Sequence, residues 1–455
     1  MVGAGGVFVT GMRSSMPVPI PDLIEIIPPE GRVRAQVTIP GSKSITNRAL
    51  ILAALAQGET ILEGALWSED TEVMVECLRE LGLMVNVESD PKEACNRTMT
   101  VYGRGGAVPR GGTEQQPLSL FVANSGTTAR FLTACLCLGS GVYHLDGAPR
   151  MRERPQAPLF RALRGLGYRI VSPTDKLPAL IFGGGPRPGA AEVSLQESSQ
   201  FASALLLCAE RGGWRISTTG EEPGEGPYVR MTVEMNRVFP QTGGRFKIEP
   251  DASSCSYFWA ADWLLSAQEP PASAESVSRP LEAGSAVTVL HPPTSDWQID
   301  SRFPRFLPLP AAVSRKSDLG DSILTAIVLA PFASHPVRFT DLGRLRLQES
   351  ERVKALRTEL TRCGAKAVEE GNQLTVEPSP LHGTEIKTYD DHRLAMCFAL
   401  VGLRIPGIRL QNPGCVRKTF PSFFQKLAAP SPRGLGVRII EPGSGQVLTE
   451  EELRT

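Results

Sequence analysis

The sequence predicts an α/β protein in which one supersecondary unit recurs along the chain. Three observations lead to this prediction. A polar turn followed by an apolar, Ala/Leu-rich helix occurs six times, several copies are followed by an amphipathic helix and a strand, and 455 residues are enough for two to three domains. One or two such helices would be common in any protein, but six copies indicate a repeat.

The first kind of helix follows a turn rich in Ser, Thr, Asp or Gly. Its residues are apolar on nearly every face, and such a helix belongs in the interior of a domain. The six copies are GSKSITNRALILAALAQG from Gly41, NSGTTARFLTACLCLGSG from Asn124, ESSQFASALLLCAERGG from Glu197, DASSCSYFWAADWLLS from Asp251, DLGDSILTAIVLAPFAS from Asp318 and DDHRLAMCFALVGLRIPG from Asp390.

The second kind of helix is amphipathic and leads into a strand. In EDTEVMVECLRELGLMVNV, from Glu69 to Val87, apolar residues at helical spacing give way to a glycine and then to strand-like alternation. Three more stretches do the same, the last more loosely: APLFRALRGLGYRIV, ESERVKALRTELTRCGAKAVE and PYVRMTVEMNRVFPQTGGRFKIE. The fifth unit is irregular, because residues 268–319 are rich in Pro and Ser and contain no clear amphipathic helix.

Composition excludes several functional classes. The formal net charge is zero, which gives no bulk attraction to nucleic acid or to an anionic membrane, and no apolar run approaches the ~18 residues of a membrane span. The nine cysteines include no CxxC pair and the five histidines are isolated, so we expect no metal site. Buried free thiols in a reducing compartment are the simpler interpretation.

Cations at the polar turns predict an anion-binding site. The N-terminus of a buried helix offers unpaired N–H groups and the positive end of the helix dipole. Cations near these helix starts or in Pro/Gly-rich loops are Lys43, Arg48, Arg130, Arg150, Arg352, Arg393 and Lys418. Any one of them could be a solvated surface charge, but together they indicate a multiply charged anion.

Carboxylates able to move protons accompany these cations. Asp321 is expected to open the fifth buried helix, and Glu349 is expected to begin a helix beside Arg352. A carboxylate among cations is ionised and suits general-base work.

Asp391 and His392 form another candidate pair. An aspartate at a helix start is at least as often an N-cap, so a structural role for Asp391 stays open. The same ambiguity applies to Asp70 and Asp251.

Taken in chain order, a set of these motifs resembles one family, 5-enolpyruvylshikimate-3-phosphate synthase, an enolpyruvyl transferase. The matching stretches run from residue 40 to 424 and are PGSKSITNRA, NSGTTARF, LDGAPRMRERP, SSQFASALL, DASSCSYF, LQESERV, TYDDHRLAM and NPGCVRKTFPSFF.

The resemblance implies a fold of two domains. It is an inverse α/β barrel of six βαβαββ pseudo-repeats, three per domain, with the active site in the interdomain cleft. One domain would comprise residues 42–249, inserted between 1–41 and 250–455 of the other. The resemblance also implies a cytoplasmic monomer that needs no metal or organic cofactor and binds no nucleic acid or membrane.

The resemblance further implies a reaction in which the enolpyruvyl group of phosphoenolpyruvate moves to the 5-hydroxyl of shikimate-3-phosphate and phosphate leaves. The positions matching phosphoenolpyruvate contacts are Lys43, Asn124, Gly126, Arg150, Gln200, Arg352, Arg393 and Lys418. Those matching shikimate-3-phosphate contacts are Lys43, Ser44, Arg48, Ser198, Ser199, Gln200 and Asp321. Asp321 would accept the hydroxyl proton, and Glu349 with Lys43 or Lys418 would handle the protons at the methylene and the departing phosphate.

The acceptor side departs from the family pattern. Gln348 stands where the family has a lysine and Arg344 where it has an asparagine, so we hypothesise that a charge has moved between these positions. Glu225 aligns with a substrate-side serine and Arg230 with an aspartate, which indicates a different loop or an altered pocket. Gly126 leaves room for the inhibitor glyphosate, whereas Phe131 replaces a proline common in the family.

Two alternatives stay open from the sequence. A related enolpyruvyl transferase acts on UDP-N-acetylglucosamine, but it has asparagine after its lysine and a reactive loop cysteine, where this chain has Ser44 and no cysteine in GAPRMRERP. A degenerate homologue could bind anionic metabolites without turnover. An Asp321→Ala variant without effect on activity would indicate the second.

Overall fold

The computed structural model describes residues 20–196, 198–220, 226–266 and 285–455. Helices and strands alternate throughout these residues, which confirms the predicted α/β class. The α-helices are α1 Lys43–Leu55, α2 Glu69–Glu80, α3 Gly126–Cys137, α4 Pro149–Glu153, α5 Ala157–Gly165, α6 Ser199–Gly212, α7 Pro227–Val238, α8 Ala252–Ser266, α9 Ile323–Leu329, α10 Arg352–Arg362, α11 His392–Gly402 and α12 Phe423–Ala428. Short 3₁₀ segments are Ile299–Phe306, Ala330–Phe332, Leu342–Leu347 and Pro413–Lys418.

The strands of the described residues form small separate sheets. They are β1 Leu23–Ile27, β2 Ala35–Thr38, β3 Gln57–Leu66, β4 Met84–Ser89, β5 Asn96–Arg104, β6 Leu118–Phe121, β7 Val142–Asp146, β8 Arg169–Val171, β9 Ala179–Phe182, β10 Gly189–Ser194, β11 Trp214–Thr219, β12 Gly244–Lys247, β13 Val287–Leu290, β14 Ala312–Ser314, β15 Val337–Thr340, β16 Ala367–Glu370, β17 Gln373–Val376, β18 Glu385–Ile386, β19 Ile408–Gln411 and β20 Arg438–Ile440.

Four of the sheets have the same arrangement of strands. Their orders are β12-β3-β5-β4, β6-β7-β9-β8, β14-β15-β17-β16 and β18-β19-β1-β20. In each, the first two strands are parallel and the next two pairings are antiparallel; in β6-β7, for example, Leu118 pairs with Tyr143. The remaining two sheets, β10-β11 and β13-β2, are single parallel pairs.

The apolar helices lie in the interior, as the sequence predicts. Every residue of α3 and of α11 is buried, because these helices have no polar face to turn toward water. Helices α1, α3 and α6 pack against one another, and α8, α9 and α11 form a second such group.

The amphipathic helices are confirmed too. Helices α2, α5, α7 and α10 are followed by the strands β4, β8, β12 and β16. The irregular fifth unit has no α-helix between residues 285 and 319, while residues 267–284 of that unit lie outside the described part. Its buried helix α9 is short and passes into a 3₁₀ segment that contains Pro331.

The buried apolar residues form two hydrophobic cores. The first core contains residues between 45 and 248, and the second core contains residues 24–39 and 255–453. The chain passes between the cores twice, and the passages lie side by side: Gly41 forms an antiparallel bridge with Pro250, and Asp251 donates its N–H to the Pro40 carbonyl at 2.9 Å. A Cβ at Gly41 would lie 2.0 Å from the Gly64 carbonyl oxygen, so this crossing requires glycine.

No helix of the described residues combines the length and apolarity that crossing a bilayer would require. All nine cysteines are buried and free, as the sequence predicts.

Candidate active site

A small polar cavity lies where the two cores face each other. Its volume is about 90 Å³, and the first residues of α1, α6 and α11 line it. Helix starts present unpaired N–H groups and the positive end of the dipole, so the cavity is suited to anions.

Most of the residues that the sequence predicts for the site line this cavity. They are Lys43, Ser44, Arg48, Ser198, Ser199, Gln200, Asp321, Arg344, Gln348, Glu349, Arg352, His392 and Arg393. The predicted residues Asn124, Gly126, Arg150 and Lys418 are not among the lining residues.

Arg154, which the sequence reasoning did not select, lines the cavity in place of Arg150. Arg154 is 5% exposed and donates to the Asn124 carbonyl at 3.3 Å. Arg150 lies in α4, not in the expected loop, and pairs with Glu153 at 2.7 Å near solvent. The signal was available: Pro155 disfavours helical backbone at the preceding residue, so α4 ends and Arg154 is extended.

Gly126 supports the arrangement of this wall. It begins α3, and a Cβ built on it would lie 2.5 Å from Nη2 of Arg154 and 2.7 Å from Nη1 of Arg130. The glycine therefore allows two guanidinium groups to approach the helix start closely.

The carboxylate of Asp321 lines the cavity and lies between two guanidinium groups. Arg315 Nη2 lies 2.9 Å from its Oδ1, and Arg393 Nη2 lies 3.2 Å from its Oδ2. Burial alone would raise the pKa of Asp321, but Arg393, Arg315 and Arg352 outweigh it and hold the pKa well below its usual range. The expectation that Asp321 opens α9 was off by two residues, because Ser322 is the N-cap and α9 begins at Ile323.

Arg315 is a second residue that the sequence reasoning missed. It directly follows β14 at the end of a parallel strand pair and is 8% exposed. Strand ends of this kind are where polar side chains converge on sites, but β14 has only three residues and left no periodic signal to read.

Arg352 is the centre of a buried ionic cluster. Its Nε and Nη2 donate to the two Asp391 oxygens at 2.7 and 3.1 Å, Nη2 lies 2.9 Å from Glu349 Oε2, and Nη1 donates to Gln348 Oε1 at 2.6 Å. Burial would raise the pKa of Glu349, but Arg352 and nearby cations hold it well below the usual range. The expectation that Glu349 begins a helix is wrong: α10 begins at Arg352, with Glu351 as its N-cap.

Asp391 has the capping role that the sequence left open, and more. As the N-cap of α11 it accepts from the Arg393 N–H at 3.0 Å while it also pairs with Arg352. His392 is 1% exposed, lies 3.8 Å from Asp391, and neither ring nitrogen has a hydrogen-bond partner among the described residues. Burial and then Lys43 and Arg393 lower the pKa of His392 far below its usual value, so the ring is neutral.

Lys43, which lines the cavity, and Lys418, which does not, both pair with the carboxylate of Asp70. Asp70 accepts from Lys43 Nζ and from Lys418 Nζ at 3.0 Å each, and Lys418 also donates to the Asn124 carbonyl at 3.0 Å. Asp70 is not an N-cap, because Ser68 holds that position in α2, whereas Asp251 accepts from the Ser254 N–H at 2.8 Å at the start of α8.

The opposite wall combines hydroxyls with the buried guanidinium groups of Arg48 and Arg130. Arg48 donates to the hydroxyls of Thr232 and Ser203 at 2.8 and 2.9 Å. Ser198 caps α6 by accepting from the Gln200 N–H, and the Gln200 side chain accepts from Arg130 at 2.6 Å.

Gln348 and Arg344, two of the positions that depart from the family pattern, line the cavity. Gln348 accepts from Arg352 through its side chain and from Arg150 Nη2, at 3.0 Å, through its carbonyl. Arg344 reaches from the second core to the Leu195 carbonyl of the first core. Whether a charge moved between these positions stays a hypothesis, and Glu225 lies outside the described residues.

Residues 20–196, 198–220, 226–266 and 285–455 contain no cluster of three His, Cys, Asp or Glu side chains placed to hold a metal ion.

Comparisons with known proteins identify the family. The family model of EPSP synthase (3-phosphoshikimate 1-carboxyvinyltransferase) matches residues 27–269 and 282–427. The 3-phosphoshikimate 1-carboxyvinyltransferase of Nostoc punctiforme is 35% identical, with 89% of this chain and 98% of that protein covered. The enzyme of that name from Pseudomonas savastanoi pv. phaseolicola is 38% identical, with 91% and 98% covered.

Solved structures share the fold. EPSP synthase from Acinetobacter baumannii matches with a TM-score of 0.69 at 21% identity, over 92% of this chain and all of that one (100%). The enolpyruvyl transferase NikO from Streptomyces tendae matches with a TM-score of 0.65 at 17% identity, over 94% and 99%. The family resemblance predicted from the motifs is therefore confirmed, and the chain belongs to the EPSP synthase family.

Proposed function

We propose that this protein transfers the enolpyruvyl group of phosphoenolpyruvate to the 5-hydroxyl of shikimate-3-phosphate and releases phosphate. The observation that carries the proposal is one cavity in which cations from both cores surround the ionised carboxylate of Asp321. The two substrates bring phosphates and carboxylates together, and such a pairing needs fixed cations beside a proton acceptor. Relatives named for this activity support the assignment.

The finer architecture is part of the proposal. We propose six βαβαββ pseudo-repeats in a two-domain inverse α/β barrel, with domains 42–249 and 1–41 plus 250–455. Two separate cores and four sheets of one strand order support this division. A cavity of about 90 Å³ is far smaller than the ~300–1,000 Å³ of typical ligand pockets, so the domains must separate to admit substrates.

For phosphoenolpyruvate, the proposed contacts are mainly cations, and they come from both sides of the cavity. Arg393 would take the carboxylate through its guanidinium, and Arg352, whose Nε, Nη1 and Nη2 already have protein partners, would contribute its charge to the same site. Arg150 stays a proposed contact, because its Nη2 lies 3.0 Å from the carbonyl of the lining residue Gln348, and Arg154 joins it because Arg154 lines the cavity and is buried. The other proposed contacts are Lys43, Asn124, Gly126, Gln200 and Lys418.

For shikimate-3-phosphate, the proposed contacts lie on the wall that carries Arg48. Its guanidinium lacks a carboxylate partner among the described residues, so it suits an anionic group of the acceptor. Asp321 would hold the 5-hydroxyl. The remaining proposed contacts are Lys43, Ser44, Ser198, Ser199, Gln200, Arg344 and Gln348.

The proton steps follow from the charges. When the phosphoenolpyruvate carboxylate engages Arg393, that guanidinium acts less on Asp321, which regains basicity and accepts the 5-hydroxyl proton. The hydroxyl oxygen then bonds to C2 of phosphoenolpyruvate, and a lysine ammonium, Lys43 or Lys418, protonates C3.

Elimination completes the transfer. A proton leaves the new methyl group, the bond from C2 to the phosphate oxygen breaks, and the enol ether forms while the other lysine ammonium protonates the departing phosphate. Glu349 is ionised and can accept that proton. His392, being neutral, can accept or donate a hydrogen bond to the substrates but adds no charge.

Location and assembly are also proposed. Nine buried free thiols suit the reducing cytoplasm. That the protein acts as a monomer stays a prediction, which sedimentation velocity would check.

Phosphate release tests the function. Purified protein is given both substrates with EDTA, with controls that omit each substrate, a reaction with UDP-N-acetylglucosamine as acceptor, and an Asp321→Ala variant. Release that needs shikimate-3-phosphate and falls in the variant supports the proposal. Release with the sugar nucleotide alone, or phosphoenolpyruvate binding without any release, would reject it in favour of another acceptor or a non-catalytic homologue.

A further inference from the structure

We infer that Asp70 is a positioning residue that holds Lys43 and Lys418 together, in the correct charge state, when the two cores close on the substrates. The inference rests on the proposed function, because it concerns how the two lysines meet phosphoenolpyruvate. Asp70 itself is not among the residues that line the cavity, so it acts through the lysines.

Each carboxylate oxygen of Asp70 accepts a hydrogen bond from one of the two ammonium groups. Its Oδ2 accepts from Lys43 and its Oδ1 from Lys418, each at 3.0 Å, and the residue is 3% exposed. The start of α2 does not depend on this carboxylate, because Ser68 is the N-cap and its N–H donates to Thr71 Oγ1 at 3.0 Å. A buried carboxylate between two cations fixes both geometries at once.

The contacts of Lys418 determine which of its N–H donors is left for a substrate. Lys418 has three N–H donors, of which one goes to Asp70 and one to the Asn124 carbonyl. Among the described residues, the third N–H donor of Lys418 has no acceptor, and its direction is set by the two donors that are engaged. Without Asp70, Lys418 would keep one fixed bond and could rotate, which would misplace the remaining donor.

The contact also joins the two cores. Asp70 and Lys43 belong to elements of the first core, whereas Lys418 ends the 3₁₀ segment Pro413–Lys418, whose Cys415 and Val416 belong to the second core. Lys418 therefore reaches Asp70 only when the cores are together. Separation of the cores would release Lys418 and leave Lys43 with Asp70.

Charge supports the same conclusion. Burial would lower the pKa of Lys418, but Asp70 and Glu349 outweigh it and raise the pKa, while Arg154 acts in the opposite sense. Burial would likewise raise the pKa of Asp70, but the two lysines keep it lowered. The charged groups that face the lysines are Asp70, Glu349 and Arg154, and the titratable but neutral His392 faces Lys43.

The neighbouring residue provides a matched control. Glu69 pairs with Arg417 at 3.2 Å, one residue away on each chain segment, but this pair is exposed. Exposed pairs contribute little, so Glu69→Gln changes the same charge in the same helical turn without touching either lysine.

The test compares Asp70→Asn with Glu69→Gln by kcat/KM for phosphoenolpyruvate across pH and by calorimetric titration with phosphoenolpyruvate. We expect Asp70→Asn to lower kcat/KM about 10- to 100-fold and to move the alkaline limb of the profile to lower pH, because Lys418 loses the counter-charge that raises its pKa. Glu69→Gln should stay within about twofold of the unsubstituted protein. An Asp70→Asn profile that matches Glu69→Gln, with only the melting temperature lowered, would overturn the inference.

Two further measurements decide the question if Asp70→Asn does not fold or if the unsubstituted protein shows no activity. If Asp70→Asn does not fold, Asp70→Glu decides: an unmoved alkaline limb with kcat/KM lowered about tenfold or more supports positioning, and unchanged kcat/KM rejects it. If the unsubstituted protein releases no phosphate, the proposed function fails. The titration then tests Asp70 alone, since weaker phosphoenolpyruvate binding at high pH in Asp70→Asn supports the inference and equal binding rejects it.

Discussion

The two walls of the cavity bury an arginine in opposite ways. Arg352, on the second-core side, is 1% exposed and pairs with the carboxylates of Asp391 and Glu349. Arg48, in α1 of the first core, is also 1% exposed, but its guanidinium meets no carboxylate among the described residues. Its partners are hydroxyl and carbonyl oxygens of Ser44, Ser203, Tyr228 and Thr232.

The pKa values express this difference. Burial would lower the pKa of Arg352, but Asp391 and Glu349 outweigh it and raise the pKa. Burial lowers the pKa of Arg48 to about 10, so the group is still charged at neutral pH. The charge of Arg352 is thus balanced by the protein, while that of Arg48 is left for an anion to balance. The first arginine should matter most for folding, and the second for binding.

The largest effect is expected on removal of the balanced cation. Arg352→Met would leave the buried carboxylate of Asp391 without its ion-pair partner and Glu349 with only Arg154, Lys418 and Lys43 as cationic neighbours, and breaking a buried pair in this way costs about 3–5 kcal/mol. Denaturant unfolding at pH 7 would measure the loss in free energy of unfolding. A loss under about 1 kcal/mol would mean that Arg352 is not the structural centre of this cluster.

The same variant should change its stability with pH. Without Arg352, Glu349 loses the strongest of the charges that lower its pKa, so its pKa in the folded state should move up toward that of the unfolded chain. A carboxylate with a lowered pKa loses its stabilising contribution as the pH falls, so between pH 7 and about pH 3 this contribution to stability should fall less in the variant than in the unsubstituted protein. Unfolding of Arg352→Met at both pH values, beside the unsubstituted protein, would check the sign.

Removal of the unbalanced cation should affect binding rather than folding. In Arg48→Met, Thr232 can still donate to the Ser203 hydroxyl at 2.9 Å while Ser203 donates to the Tyr228 carbonyl at 3.4 Å, so both hydroxyls keep partners. We expect the KM for shikimate-3-phosphate to rise about 10- to 100-fold, as loss of a charge-assisted hydrogen bond implies, with the KM for phosphoenolpyruvate little changed. Steady-state kinetics with each substrate varied would measure both. Equal rises in the two KM values would contradict the division between the walls.

Much of the fold could be predicted because its signals are local. An apolar helix with no polar face must be buried wherever it lies, and a polar turn before it supplies its start. For that reason α1, α3, α6, α8 and α11 could be located from the sequence, and the starts of α1, α6 and α11 line the cavity. The sheets' common strand order rests on long-range pairing, which single-sequence patterns do not contain.

The misses at the site share one physical cause. Asp70 looks like a capping residue in isolation, and its role depends on Lys418, which is remote in sequence and arrives from the other core. Arg150 and Arg154 look equivalent in PRMRERP, and only the turn before Pro155 separates the half-buried Arg150 from the buried Arg154. Residue type and spacing thus identified which charges are present, whereas tertiary packing determined which charges meet.

The smallest expected effect tests how the balance at Arg352 is completed. Gln348 accepts from Arg352 through an amide oxygen at 2.6 Å, and a lysine at this position could only donate. Gln348→Met removes the acceptor and should lower the free energy of unfolding by about 1 kcal/mol. Gln348→Lys also adds a cation beside a guanidinium and should lower it further. If the lysine variant is instead as stable as the unsubstituted protein, the carboxylates of Asp391 and Glu349 alone balance Arg352. The side chain of Gln348 then serves to contact shikimate-3-phosphate.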